Sequence, residues 1–193
     1  MKLTRRQAIA GTATLPFAAT LANTAQAQTQ APATSLPRFR DFTLGDFRVT
    51  TLLAGSRPVE NPQGIFGMNV SEQEFADASA ANFIPTDMAQ FFFTPTVVNT
   101  GSELILFDTG LSAGGMTQAL AAAGYAADDI THVVLTHMHG DHIGGLSDDS
   151  GAETFANAAY ITGQVEFDAW AAMGNDGFEA KVRPLAEKMS FLG

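Results

Sequence analysis

The feature that most constrains this chain is a cluster of potential metal ligands within six consecutive residues. Residues 137–142, called the metal loop below, read His-Met-His-Gly-Asp-His and contain three of the four histidines of the 193-residue chain. Burying so many polar side chains together is unfavourable unless a partner binds them. The chain has no cysteine, which excludes disulfides and thiolate ligands, so a metal site must use His, Asp and Glu. The pattern therefore predicts a metal centre at the metal loop.

The spacing within the metal loop divides its ligands into two pairs. His137 and His139 are two positions apart, so in an extended segment their imidazoles point to one side and can share one zinc ion at about 2.0–2.1 Å. Gly140 is expected to permit a sharp turn. Asp141 and His142 follow it and can address a second ion, roughly 3.5–4 Å from the first.

Three neighbouring features bear on this site. The dipeptide Gly144-Gly145 is expected to let the backbone pass close to the ions. His132 precedes the metal loop by five residues and is predicted to be a partly exposed histidine at the start of a strand. Asp108 ends a strand that we expect beside the strand leading into the metal loop. There it could accept a hydrogen bond from a ligand imidazole and so hold that ring in place. The alternative is that Asp108 caps a turn.

Hydrophobic periodicity predicts strands early in the chain and alternating strands and helices later. The predicted elements are a hairpin over 39–53 turning at 45–46, a loop over 55–70, a helix over 71–79 started by a capping box, an irregular aromatic stretch over 83–95, a second hairpin over 96–107, a helix over 114–123, strands over 132–136 and 159–162, and helices over 164–173 and 178–189. This order predicts an α/β sandwich. The metal loop would follow a buried strand, where sites in α/β sheets usually lie.

The amino terminus predicts export. Arg5-Arg6 precedes an apolar, alanine-rich stretch, and Ala25-Gln26-Ala27 offers a cleavage site. The arginine pair resembles a twin-arginine signal, with a general secretory signal as the alternative. The apolar stretch is too short to be a stable membrane anchor. We therefore expect a bacterial periplasmic or secreted protein with a signal over 1–27 and a flexible lead-in over 28–37.

The charge balance limits the partners. The formal net charge is −10 at neutral pH, and an acidic protein repels phosphate backbones. We therefore expect a small-molecule substrate and no nucleic-acid partner. A homodimer is left open.

The metal loop, extended through Ile143-Gly144-Gly145, resembles the His-x-His-x-Asp-His signature of the metallo-β-lactamase superfamily. Residues 97–110, ending in Asp-Thr-Gly, look like the strands that precede the signature there, and the resemblance covers about residues 38–193. Finer details are similar to the branch of acyl-homoserine lactonases and methyl-parathion-type organophosphate hydrolases. These details lie in residues 44–47, 136–139 and 167–170.

The resemblance implies an αββα sandwich and a dinuclear zinc site. His137 and His139 would bind the first ion, and Asp141 and His142 the second. The ions would share a hydroxide that attacks a lactone, ester, amide or phosphotriester. Asp141 would also act catalytically by helping to protonate the leaving group.

The family site uses further ligands from later in the chain, namely a third His for the first ion and a bridging Asp and another His for the second. No histidine follows His142. We therefore expect residues 38–193 to form only the N-terminal half of the domain, with an incomplete metal site, an uncovered apolar face and doubtful activity. The alternatives are a catalytically incompetent metal-binding fragment, or a β-lactamase or glyoxalase-II-like thioesterase of the same fold.

Four aromatic residues are candidates for the lining of an apolar substrate entrance. They are Phe91, Phe92, Phe93 and Trp170. The alternative for each is ordinary packing in the core or at its margin.

Overall fold

The computed structural model describes residues 37–193, which contain nine β-strands. The strands are β1 (Phe39–Leu44), β2 (Phe47–Leu52), β3 (Gly55–Glu60), β4 (Met88–Phe93), β5 (Thr96–Asn99), β6 (Leu104–Phe107), β7 (His132–Val134), β8 (Ala159–Gly163) and β9 (Met189–Leu192). The predicted signal, and the lead-in up to residue 36, lie outside the described residues.

The described helices are mostly short. They are α1 (Gln63–Phe66), α2 (Glu72–Ala81), α3 (Ala113–Ala122), α4 (Gly140–Ile143), α5 (Gln164–Met173) and α6 (Asp176–Lys181), with 3₁₀ turns at Ala127–Asp129 and Arg183–Lys188. None of the helices within residues 37–193 is long and apolar enough to cross a membrane.

Seven strands form one mixed sheet in the order β1-β2-β5-β6-β7-β8-β9, and β3 and β4 form a separate antiparallel pair. The pairs from β1 to β6 are antiparallel, whereas β6, β7, β8 and β9 run parallel. Phe107 pairs with Val134, which pairs with Ile161. The carboxyl ends of β6, β7 and β8 therefore meet at one edge of the sheet, which confirms the expected α/β architecture and the expected place of the metal loop.

A continuous apolar core supports this edge. Leu106 and Val133 of the two central strands are fully buried, as are Met116 and Leu120 of α3 and Tyr160 of β8. Complete burial of a large apolar side chain contributes about 1.5–3 kcal/mol. The sheet beneath the metal loop is thus a rigid base.

Predictions that rested on local signals are confirmed. The first hairpin turns at Gly45, whose φ is +60°. The oxygen of Ser71 accepts from the backbone of Glu74, and Glu74 accepts from the backbone of Ser71, so α2 begins with the predicted capping box. The second hairpin and α5 also have the predicted bounds to within a residue.

Two predictions were wrong because long-range pairing decided the structure. Residues 55–60 and 88–93 were expected to be irregular, but they pair with each other as β3 and β4. The predicted helix over 178–189 ends at Lys181, is followed by a 3₁₀ turn containing Pro184, and gives way to β9, which pairs with β8. Proline removes a backbone donor and stops the α-helix.

Candidate metal centre

The metal loop brings three imidazoles into contact at the carboxyl edge of the sheet. After β7 ends at Val134, the chain stays extended through His139 and then enters the single turn α4. The ring of His137 lies 4.6 Å from that of His139 and 3.8 Å from that of His142, measured between centroids. The structure thus gathers the three predicted histidine ligands.

Asp108 supports this cluster from the end of β6. Its carboxylate accepts from the backbone N–H and the hydroxyl of Thr136, at 2.9 Å each for the shortest contacts, and its Oδ2 lies 2.8 Å from Nδ1 of His142. With Nδ1 engaged by Asp108, the remaining ring nitrogen of His142 is free to face a metal. Asp108 adopts a φ of +61°, a conformation that aspartate tolerates better than most residues.

Thr109 is a structural residue of the site that the sequence analysis passed over. Its hydroxyl donates to the backbone oxygen of His142 at 2.8 Å and accepts from the N–H of Gly145 at 3.1 Å, and it is completely buried. The Asp-Thr-Gly sequence after β6 was a signal for this contact, but its partner lies 33 residues away.

The roles expected of the glycines need correction. A Cβ on Gly144 would collide with the carbonyl of Leu111, and one on Gly145 with the carbonyl of Thr109. Close packing against the segment after β6 therefore requires glycine at both positions. Gly140 begins α4 without a positive φ and has open space around its Cα, so no special turn requires glycine there.

A cavity of about 160 Å³ opens beside the cluster. Asp141, His142 and Asp108 line its polar side, and Phe92 and Phe93 line its apolar side. Oδ2 of Asp141 lies 3.5 Å from Nε2 of His142. The carboxylate expected to move a proton therefore reaches both the histidine cluster and the cavity.

The other aromatic candidates occupy different positions. Phe91 does not line this cavity, and its ring packs 5.5 Å from Phe66 and 6.4 Å from Phe93. Trp170 contacts the cluster directly, with its ring edge-to-face against His139 at 5.7 Å. His132 is half-buried and bonds through Nδ1 to the hydroxyl of Thr131 at 3.0 Å, outside the cluster.

Glu166, near the start of α5, also contacts the metal loop. Its Oε1 accepts from the backbone N–H of Met138 at 2.9 Å. In the sequence alone Glu166 is not distinctive, because an acidic residue in the first turn of a helix has an ordinary explanation in the helix dipole.

The donor set fits zinc in its chemistry and only partly in its number. Imidazole and carboxylate are ordinary zinc ligands. Within residues 37–193, however, no group of three His, Asp or Glu side chains is arranged to hold one ion.

Comparisons with known proteins match a segment of this chain in sequence and most of the chain in structure. The model of the Metallo-beta-lactamase superfamily matches residues 94–153. Ribonuclease Z of Nocardia farcinica is 39% identical over 77 residues, which are 40% of this chain and 24% of that protein.

Two solved structures share the fold over most of the chain. AidC, described as a dizinc quorum-quenching lactonase in complex with a product, N-hexnoyl-L-homoserine, is 25% identical with a TM-score of 0.67, covering 80% of this chain and 61% of AidC. AbOPH, described as a hydrolase in the beta lactamase superfamily, is 24% identical with a TM-score of 0.69, covering 82% and 62%. The matched part thus spans about three fifths of these relatives in structure, and about a quarter of the ribonuclease.

These two neighbours are described as hydrolases. The family match over residues 94–153 includes the metal loop and the strands that lead to it. Residues 94–153 match the Metallo-beta-lactamase superfamily, and the fold of the described residues is similar to that of AidC.

Proposed function

We propose that this chain carries the ligand loop of a zinc-dependent, dinuclear hydrolase that acts on lactones, esters or phosphotriesters. One observation carries the proposal: the ring of His137 lies 4.6 Å from that of His139 and 3.8 Å from that of His142, beside a cavity lined by Asp141. His139 is exposed and His137 and His142 are half-buried, so these imidazoles, which are ordinary zinc ligands, can be reached by an ion from solvent.

Each residue has a distinct part in this proposal. His137 and His139 would hold the first ion, and Asp141 and His142 the second. Zinc supplies an activated water and polarises a carbonyl or phosphoryl group when it is bound. Asp108 holds His142 through Nδ1, at 2.8 Å from Oδ2, and fixes its orientation. Asp141 lines the cavity, so its carboxyl can hold a proton for the leaving group of a substrate seated there.

The cavity favours a neutral, partly apolar substrate. The carboxylates of Asp108 and Asp141 line it together with Phe92 and Phe93. A polyanion would meet these carboxylates and a chain with a formal charge of −10. A small lactone, carboxylic ester or phosphotriester carries no such charge. The same argument makes nucleic acid a poor substrate, although ribonuclease Z is among the relatives.

Zinc binding is the first test. We expect elemental analysis of the purified chain to show zinc, and we expect His137→Ala combined with His139→Ala to reduce it to background. His132→Ala is the matched control because this histidine lies outside the cluster. Equal zinc in the double variant and the unaltered chain would contradict the proposed site.

Activity is the second test, and donor number limits what to expect. Catalytic zinc sites commonly use three protein ligands, and the metal loop offers two per ion. We therefore expect hydrolysis of an acyl-homoserine lactone or paraoxon by these 193 residues to be near background at saturating zinc. Robust turnover would mean that a second copy or another residue supplies donors.

A thioester and a β-lactam, assayed in parallel, separate the other activities. A preference for either would favour a thioesterase or a β-lactamase. Zinc binding without any turnover would favour a metal-binding fragment.

Export to the periplasm is proposed from the arginine pair, the apolar stretch that follows it and the cleavage site at Ala25-Gln26-Ala27. Replacing Arg5 and Arg6 by lysine should block transport through a twin-arginine route. Normal export of this variant would leave a general secretory signal.

A further inference from the structure

We propose that Glu166 is a positioning residue that holds the metal loop in the conformation that presents His137 and His139 to a metal, an inference that rests on the proposed function. Its Oε1 accepts from the backbone N–H of Met138 at 2.9 Å. Met138 lies between the two histidines, so this hydrogen bond fixes the peptide that joins His137 to Met138.

The metal loop needs such a partner because the sheet no longer supplies one. The last ladder-like bond runs from the N–H of Leu135 to the carbonyl of Ile161 at 2.9 Å. Beyond it, carboxylates take over: Asp108 accepts from the N–H of Thr136, and Glu166 from that of Met138. The Met138 side chain is fully buried, and a poorly hydrated N–H left without a partner is unfavourable by about 1–3 kcal/mol.

Helix capping does not explain where the Glu166 side chain lies. Glu166 is the third residue of α5, a position from which a glutamate often bonds back to the N-cap residue. Here the N-cap is Gly163, and α5 has no side-chain cap hydrogen bond. The carboxylate reaches instead to a residue 28 positions earlier in the chain.

The same helix contacts the metal loop a second time. One turn after Glu166, the ring of Trp170 packs edge-to-face against His139 at 5.7 Å. Residues four apart lie on one face of a helix. A single face of α5 therefore bonds the backbone between the two histidines and packs against one of their rings, which makes α5 the element that orients this ligand pair.

Three substitutions separate this role from a dipole effect. Glu166→Gln keeps the reach and an acceptor oxygen but loses the charge. Glu166→Asp keeps the charge at the helix start but shortens the side chain by one methylene. Glu166→Ala loses both. Asp168→Asn removes a charge from an exposed position of the same helix and is the matched control.

Zinc affinity, measured by competition with a chromophoric chelator, is the first readout. We expect a fall of about 10–100-fold for Glu166→Ala and Glu166→Asp, as for residues that orient metal ligands. Glu166→Gln should lose roughly fivefold or less, because a neutral acceptor makes a weaker hydrogen bond. Asp168→Asn should match the unaltered chain. If the aspartate variant binds like the unaltered chain and the glutamine variant like alanine, the charge matters and the positioning role is overturned.

Amide hydrogen exchange of Met138 in the metal-free chain is the second readout. Protection should persist in Glu166→Gln and be lost in Glu166→Asp and Glu166→Ala, and the unpaired N–H should lower the urea midpoint of the last two variants. Equal zinc affinity and equal Met138 exchange in all variants would overturn the role of Glu166 while the proposed function stands. Failure of the unaltered chain to bind zinc would overturn the proposed function itself.

Discussion

The metal loop and the excursion between β3 and β4, residues 61–87, are held in opposite ways. Around the metal loop, the N–H groups of Thr136, Met138 and Gly145 bond to side chains that lie 28 to 36 residues away. Within the excursion, the side-chain hydrogen bonds join residues three to seven positions apart, such as Ser71 with Glu74.

The two regions also differ in what they expose. The core beneath the metal loop is fully buried, whereas the excursion exposes several large apolar side chains. These are Ile65, Phe66, Met68, Val70, Phe83 and Ile84, with exposed fractions from 39% to 96%. The difference shows that the site is shaped by tertiary contacts. A substitution at the metal loop should therefore disturb residues far away in the chain, whereas one in the excursion should disturb only its neighbours.

The largest change in unfolding free energy is expected where the packing beside the metal loop is tightest. In Gly145→Ala, the new methyl group would collide with the backbone carbonyl of Thr109. Overpacking of this kind usually destabilises by about 1–3 kcal/mol, and an immobile backbone atom places this case near 3 kcal/mol. Urea unfolding measures the loss.

Gly140→Ala is the control for that change. No atom lies within 4 Å of its added Cβ, so we expect a change in unfolding free energy below about 0.5 kcal/mol. Equal effects at both glycines would show that the close approach at Gly145 does not matter.

The next largest effect is expected when the carboxylate that joins β6 to the metal loop is removed. In Asp108→Ala, the N–H of Thr136 loses its acceptor and His142 loses its partner at Nδ1. We expect a loss of about 2 kcal/mol in unfolding free energy and a fall of about 10–100-fold in zinc affinity. Urea titration measures the unfolding free energy, and chelator competition measures the zinc affinity.

Asp108→Asn should lose less stability than Asp108→Ala. Asparagine keeps an acceptor oxygen for Thr136 and accepts the φ of +61° at this position. A stability loss as large as that of alanine would argue against the hydrogen bond as the main cause.

In the excursion, a single change is expected to stabilise the protein. Phe83 is 96% exposed and has a φ of +57°, a conformation unfavourable for a bulky side chain and tolerated by asparagine. Phe83→Asn should raise the unfolding free energy by about 0.5–1 kcal/mol and leave zinc affinity unchanged. Phe66→Asn, which removes a ring packed against Phe91, should instead lower stability. A fall in zinc affinity on changing Phe83 would break the contrast between the regions.

The smallest effect concerns the first hairpin, whose side-chain hydrogen bonds span seven to eleven residues. The hydrogen bond from Arg48, followed by that from Thr50, lowers the pKa of Asp41 below its usual value of 3.8. Because the folded pKa is the lower one, the stabilisation is present above about pH 4 and is lost as the pH falls through the folded pKa.

Since this ion pair is partly exposed, we expect it to contribute at most about 0.5 kcal/mol. Unfolding free energies of the unaltered chain and Asp41→Asn should differ at pH 6 and converge as the pH falls through the lowered pKa of Asp41. A constant difference across this range would contradict the assignment.

The candidate site was largely predictable because its ligands are neighbours in the chain. His137, His139 and His142 were identified from spacing alone, and the structure brings their rings together. Glu166 and Thr109 were not, because each acts on the metal loop from about 30 residues away. A glutamate at a helix start and a threonine after a strand look ordinary until the contact is seen.

By itself, the sequence determined the elements whose signals are local: the hairpin turn at Gly45, the capping box at Ser71 and the ligand run of the metal loop. Only the tertiary structure decided that residues 55–60 and 88–93 pair as strands, and that β9 joins the parallel edge of the sheet. The physical reason is that a turn or a cap is stabilised by residues a few positions apart. A strand at a sheet edge, or an amide beyond the end of a strand, takes its hydrogen-bond partner from wherever the fold places one.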